Sequence, residues 1–424
     1  MARIEVLCAV VLLTASSSAF CQLSIPSQYQ GQPVQRIRLA AQAKQDTAEP
    51  KISAAIAKPL QAAQRAIQAK DFDEAIAKVR EAQANPAEKT AFDNYFISVL
   101  LIQVYQAKKD TANLIEALGN AAQTQYATSE QQQVWYKFIA QYWFGQKDYN
   151  KSLEAAGQAQ HHGATDADTM DLIAKAEYLS GKYKEAASTM QEIVGKQEKP
   201  DENSLKLLWQ FNIKADDDAG SARALLKLVA LYPKPEYWQS ALAPLIRMDI
   251  KDLRLQLNLY RLMKDVGLLK ESRDYGDMAE IALDQGYPGE TVSVLQEAFQ
   301  KNVFGEQRDK ERYQHLLDRA KQHAATDQAQ LGKSVPTDAD SLVQLGAAYM
   351  SYGQYDKAVV NINKGIDKND LKSPDEAYLL LGIAKLRMNE TAEAQKAFGK
   401  VATSSNSGYS RLGTLWLART GAWL

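Results

Sequence analysis

Between Leu345 and Phe398 the apolar positions of the chain recur as a unit. Leu345, Tyr349 and Ile362 place large side chains at helical spacing, and Gly346 and Ala358 put small ones among them. The series Leu345, Gly346, Tyr349, Gly353, Tyr355, Ala358, Ile362 returns 36 residues later as Leu381, Gly382, Lys385, Asn389, Thr391, Ala394, Phe398. A period of this length predicts a stack of two-helix units. The small residues mark close approach of two helices, and the large ones fill the space around them. Gly353 and Asn389 fall where the chain leaves the first helix, a place that favours a left-handed backbone.

Fainter copies carry the pattern toward the N-terminus. Phe72, Ala75, Val79 and Ala82 match a second helix, as do Tyr149, Ser152 and Ala156, then Tyr183, Ala186 and Met190. Ala222, Leu226 and Val229 follow, and then Gly286, Thr291, Leu295 and Ala298. Long gaps between these anchors are each expected to hide one more unit: Phe92 to Ala122, Glu236 to Lys264, and Arg308 to Leu331. Residues 51–405 therefore read as one array of about ten units, clearest at 338–402, with no length left for a catalytic domain. Gly332 to Thr337 reads as a loop or bend inside it. Leu412, Leu415 and Trp416 at helical spacing make residues 406–424 a capping helix and tail.

The start of the chain breaks this pattern. Arg3, an apolar run from Val6 to Leu13 and small residues from Ala15 to Ala19 predict an export signal over residues 1–21. Cleavage is expected after Ala19 or after Cys21. Lipid anchoring at Cys21 is the lesser reading, because Phe20 stands where that motif takes a small residue. Residues 22–50 are rich in glutamine and poor in large apolar side chains, and read as a flexible lead-in.

Composition narrows the function. Fifty basic residues against 51 acidic ones leave no overall charge to attract nucleic acid or an anionic membrane. The cysteines, Cys8 and Cys21, lie in or beside the signal, so no disulfide within the mature chain and no cysteine metal site is expected. His161 and His162 are adjacent and point about 100° apart on a helix, which suits a solvated helix end better than a shared ion. Asp216, Asp217 and Asp218 lack the alternating ligands of a calcium loop and read as a turn capping the next helix. No phosphate-binding glycine loop, nucleophile elbow or zinc-protease helix occurs. The expectation is a non-enzyme without cofactor or metal.

At the level of these residues the chain resembles the tetratricopeptide repeat family. The resemblance implies an all-α fold, a TPR-like α-solenoid: a right-handed superhelix of helix-turn-helix repeats closed by a C-terminal capping helix. It also implies a concave groove that binds extended peptides or partner helices. By repeat register the groove positions are Lys137, Gln141 and Phe144, then Asp171, Lys175 and Tyr178. Family members that clamp a peptide carboxylate use lysine and asparagine. Here Gln141 and Leu172 stand at the asparagine positions, so that clamp is not expected. A second candidate surface is an apolar stripe at the same register, with Val343, Met350, Leu379, Ile383 and Leu386. The array itself could also cover that stripe. The resulting expectation is a protein- or peptide-binding scaffold, periplasmic or secreted. Its alternative is a glycan- or cell-wall-binding accessory with Trp135, Phe144 and Tyr178 as stacking platforms.

Overall fold

The computed structural model describes residues 50–423. The expected signal and nearly all of the expected lead-in lie outside them. The described residues hold twenty helices and no strand. They fall into two compact units, one ending at Thr169 and the other starting at Met170, where the sequence reads as a single array.

The first unit contains α1 (Ala54–Gln68), α2 (Phe72–Ala84), α3 (Ala91–Lys108), α4 (Thr111–Ala122), α5 (Ser129–Gly145) and α6 (Tyr149–His161). The helix α7 (Ala167–Leu179) begins at its end. The second continues with α8 (Tyr183–Gly195), α9 (Glu202–Lys214), α10 (Asp218–Leu231), α11 (Pro235–Ile246) and α12 (Leu253–Asp265). Then come α13 (Ser272–Asp284), α14 (Pro288–Gln300), α15 (Gln307–Gln330), α16 (Ala339–Ser351) and α17 (Tyr355–Asp367). The last three are α18 (Pro374–Arg387), α19 (Thr391–Ala402) and α20 (Ser407–Arg419).

One turn chemistry joins eight of the successive helix pairs. Two residues before α2, α4, α6, α8, α10, α14, α17 and α19 the backbone turns left-handed, at Lys70, Lys109, Lys147, Gly181, Asp216, Gly286, Gly353 and Asn389. Gly353 at φ 71° and Asn389 at φ 62° sit there as expected. In four of these turns an aspartate follows and caps the new helix. Asp71, Asp110, Asp148 and Asp217 accept from the backbone N–H three residues on, at 3.1, 3.3, 3.1 and 2.8 Å. This explains Asp216 to Asp218: one residue makes the turn and the next is the cap.

Small residues set the closest approaches, as the repeat predicts. A Cβ on Gly346 would fall 2.5 Å from Ile362 and 3.0 Å from the Ala358 carbonyl, and one on Gly382 would fall 2.4 Å from Phe398. Ala358 and Ala394 are wholly buried. The hidden units fare unevenly. Phe92 to Ala122 is a helix pair, α3 and α4. Glu236 to Lys264 holds α11 and α12, but residues 247–252 join them without the shared turn. Arg308 to Leu331 is not a pair at all: it lies within and just past the single 24-residue helix α15. That stretch carries few apolar residues after Ala320, so it has no second face to fold back on.

The second unit closes on itself. Beyond its expected neighbour α19, α20 also packs against α10, α11 and α12. Asp265, its side chain 3% exposed, receives Arg419 at 2.6 Å and Arg387 at 2.7 Å. Arg254 reaches Glu376 at 3.0 Å, and the Tyr409 hydroxyl lies 3.3 Å from the Asp252 carboxylate. A Cβ on Gly408 would meet Leu255 at 2.5 Å. Leu412, Leu415, Trp416 and Leu417 of this capping helix are all buried, while Ser407 and Arg411 face water. Helices α10 to α20 form a ring with α20 as its closing element.

Candidate functional site

The six groove positions fall three and three on the two units. In the first, Lys137, Gln141 and Phe144 share one face of α5 at helical spacing. Lys137 is held by Asp166 at 2.9 Å. Burial works to raise the Asp166 carboxyl, but hydrogen bonds from Lys137 and Thr169 outweigh it and hold it below its ordinary range. Gln141 is exposed, and Phe144, half-buried, meets Tyr149 edge-on at 5.6 Å. Val134 on the same helix is 50% exposed. In the second unit Lys175 pairs with Asp171 at 2.5 Å. Tyr178 stacks on buried Phe211 with ring centres 4.5 Å apart. Both lysines are thus neutralised by carboxylates of their own unit. Trp135, which a saccharide platform would need exposed, is buried.

The apolar stripe is core and not an open surface. Val343, Met350, Leu379 and Ile383 are buried, and Leu386 is partly buried against the same cluster. Its cover comes from within the second unit. Ring closure supplies it, bringing α12, α13 and α14 to face α16, α18 and α20.

Between those helices the ring leaves a cavity of about 750 Å³. Its inner wall carries Met278, Met350, Ile383 and Trp416, and its mouth carries Gln296, Gln300 and Gln328. Charged residues also line it, and each is paired. Arg261, buried, grips Glu290 through two bonds of 2.8 and 2.5 Å and also donates to Asn258 at 2.9 Å. Glu297 lies 2.8 Å from Lys264 and 2.6 Å from Lys301, and accepts from the Tyr275 hydroxyl at 3.1 Å. Burial pushes the Glu297 carboxyl up, yet these donors bring it down to about 2, so it stays ionised at any ordinary pH. Arg387 reaches Asp265. Behind the wall, the Ser351 hydroxyl and the Trp416 indole N–H are shielded from solvent and have no partner among the described residues.

Sequence reasoning missed this cavity, because its walls come from helices up to 155 residues apart that no repeat register joins. One signal was present. Arg261 sits between Leu257, Leu259, Tyr260, Leu262 and Met263, and a cation inside such a run of apolar residues marks a buried partner. Among the described residues no cluster of histidine, cysteine, aspartate and glutamate is placed to hold a metal ion. No helix among them is long and apolar enough to cross a membrane.

No family model matches the chain, and no curated protein sequence does. Solved structures do. The TPR2AB domain of yeast Sti1, in a structure described as its complex with pHSP90, is 17% identical and covers 68% of this chain and 98% of its own, at a TM-score of 0.22. A tetratricopeptide repeat protein from Parabacteroides merdae is 11% identical, covers 80% and 100%, and has a TM-score of 0.26. Yeast Tom70 is 14% identical, covers 86% and 95%, and has a TM-score of 0.22. The helices themselves show consecutive pairs, a recurrent left-handed turn and small residues at the helix crossings. The chain is an all-helical, tetratricopeptide-like repeat protein.

Proposed function

We propose that the chain is a non-enzymatic scaffold that binds a protein or peptide partner, and that it works in a bacterial periplasm after removal of residues 1–21. The observation that carries the binding role is one face of α5. There Val134 and Gln141 stand in solvent, and half-buried Phe144 lies on the same side of the helix. Aromatic side chains of this kind supply most of the energy at protein interfaces, and the neighbouring charged pairs fix orientation. Asp171, Lys175 and Tyr178 offer the same combination on the second unit.

The test is the double variant Phe144→Ala with Tyr178→Ala, first checked for native melting and then measured against a partner captured from envelope extract. Loss of two such anchors is expected to weaken binding by at least about 30-fold, equivalent to roughly 2 kcal/mol. Unchanged affinity would move the binding surface elsewhere. Val360→Ser on α17, at a residue 52% exposed, serves as the control that should leave binding intact. Export is tested separately by intact mass of the native protein. The mature chain is expected to begin between Phe20 and Gln22 without lipid, and retention of Met1 to Ala19 would overturn the periplasmic assignment.

A further inference from the structure

The ion pairs around the ring cavity do not balance in charge. Arg261 and Glu290 pair one to one. Glu297, however, takes a lysine on each carboxylate oxygen, Lys264 at 2.8 Å and Lys301 at 2.6 Å. Asp265 likewise takes an arginine on each, Arg387 at 2.7 Å and Arg419 at 2.6 Å. Each shared carboxylate cancels one of its two cations, so each cluster keeps one positive charge. In each cluster one of the two cations lines the cavity, Lys264 in the first and Arg387 in the second. Their side chains are 28% and 42% exposed, within reach of a solute.

The fold sets these two cations beside each other. Lys264 and Asp265 are consecutive in the last turn of α12, and Arg387, in the last turn of α18, grips Asp265. Gln296 and Gln300, exposed on the same helix as Glu297, add amide donors to that wall. Asp327 on α15 is tied to the Tyr352 hydroxyl at 2.6 Å and is not itself a lining group. A cleft with an excess of one sign of charge concentrates ions of the other. A phosphate monoester carries a charge of about −1.5 to −2 at neutral pH and three acceptor oxygens, which matches two surplus cations and the amides. A carboxylate brings half that charge. The remaining wall is Met278, Met350 and Ile383, which suits an apolar organic part, and methionines adapt to varied shapes. The cavity volume of about 750 Å³ is within the ~300–1,000 Å³ typical of small-molecule pockets.

We propose that the ring cavity binds a small organic phosphate monoester, its phosphoryl group held between Lys264 and Arg387 and its organic part laid on Met278, Met350 and Ile383. This site shares no residue with the α5 face, so either can fail without the other.

The experiment titrates the full-length protein with phenyl phosphate at neutral pH and low salt, read by calorimetry. Inorganic phosphate, benzoate and a short peptide with a free C-terminal carboxylate are titrated in parallel. Phenyl phosphate is expected to bind saturably, more tightly than inorganic phosphate and at least about tenfold more tightly than benzoate or the peptide. Lys264→Gln and Arg387→Gln should each weaken it about tenfold, since each removes one charge-assisted hydrogen bond. Neither change strands a carboxylate, because Glu297 keeps Lys301 and Asp265 keeps Arg419. Lys264→Gln carries the test alone if Arg387→Gln melts early. Lys301→Gln removes the same charge from the same cluster without touching the cavity wall, and should weaken binding distinctly less. Failure of phenyl phosphate to bind overturns the proposal. So does binding untouched by the lining variants, an equal loss in Lys301→Gln, or tighter binding of benzoate or the peptide.

Discussion

Glu290→Ala is expected to destabilise the second unit by about 3–5 kcal/mol, the usual cost of stripping a buried ion of its partner. Arg261 and Glu290 have side chains only 9% and 16% exposed, and the guanidinium holds both carboxylate oxygens. Without Glu290 that cation keeps a hydrogen bond to Asn258 and the face of Tyr287 at 5.6 Å, neither of which carries a compensating charge. Replacing both ends, as Arg261→Met with Glu290→Leu, removes the stranded charge along with the pair and should cost distinctly less than Glu290→Ala alone. Urea unfolding of the three proteins decides the matter. Equal losses in the single and double variants would mean that water reaches Arg261 and that the pair is not a core element.

The contrast with the sequence reading follows from what each kind of pattern encodes. Local features were legible because they are local. Gly353 and Asn389 turn left-handed because glycine and asparagine tolerate that backbone, and Gly346 with Ala358 marks a crossing because only small residues fit there. Lys70, Lys109 and Lys147 take the same left-handed position with no composition cue, so their turns were visible only through the repeat phase. Ring closure lay beyond reach for a different reason. Arg419 and Asp265 are 154 residues apart, and Arg254 and Glu376 are 122 apart. Neither pair has a spacing that any helix or repeat imposes. The apolar stripe illustrates the consequence. Val343, Met350 and Ile383 look the same in sequence whether a partner covers them or the chain's own helices do. Helix α12 adds a further lesson. It is apolar or buried on most of its circumference, from Leu255 round to Met263, because α13 lies on one side and α20 on the other.

A second large effect follows from that closure. In an open stack each unit touches only its neighbours, so damage at the last helix should stay near the last helix. In the ring, α20 is held by α19 on one side and by α10, α11 and α12 on the other. Trp416→Ala removes a wholly buried indole stacked on Phe398, and truncation of such a side chain costs about 3–5 kcal/mol. The loss should appear in two places far apart in sequence. Amide hydrogen exchange is expected to quicken in Thr391–Ala402, and equally in Asp218–Leu231 and Leu253–Asp265, while α17 between them changes less. Asp265→Asn, which weakens the grip of Arg387 and Arg419 but leaves the core packed, should reproduce this pattern in milder form, because those arginines are about two-fifths exposed and partly re-solvated once released. Exchange that quickens only in α19 and α20 would show an open array whose last helix merely rests on the first helices of the unit. Exchange that quickens at both ends together identifies α20 as the element that shuts the ring and, with it, the cavity.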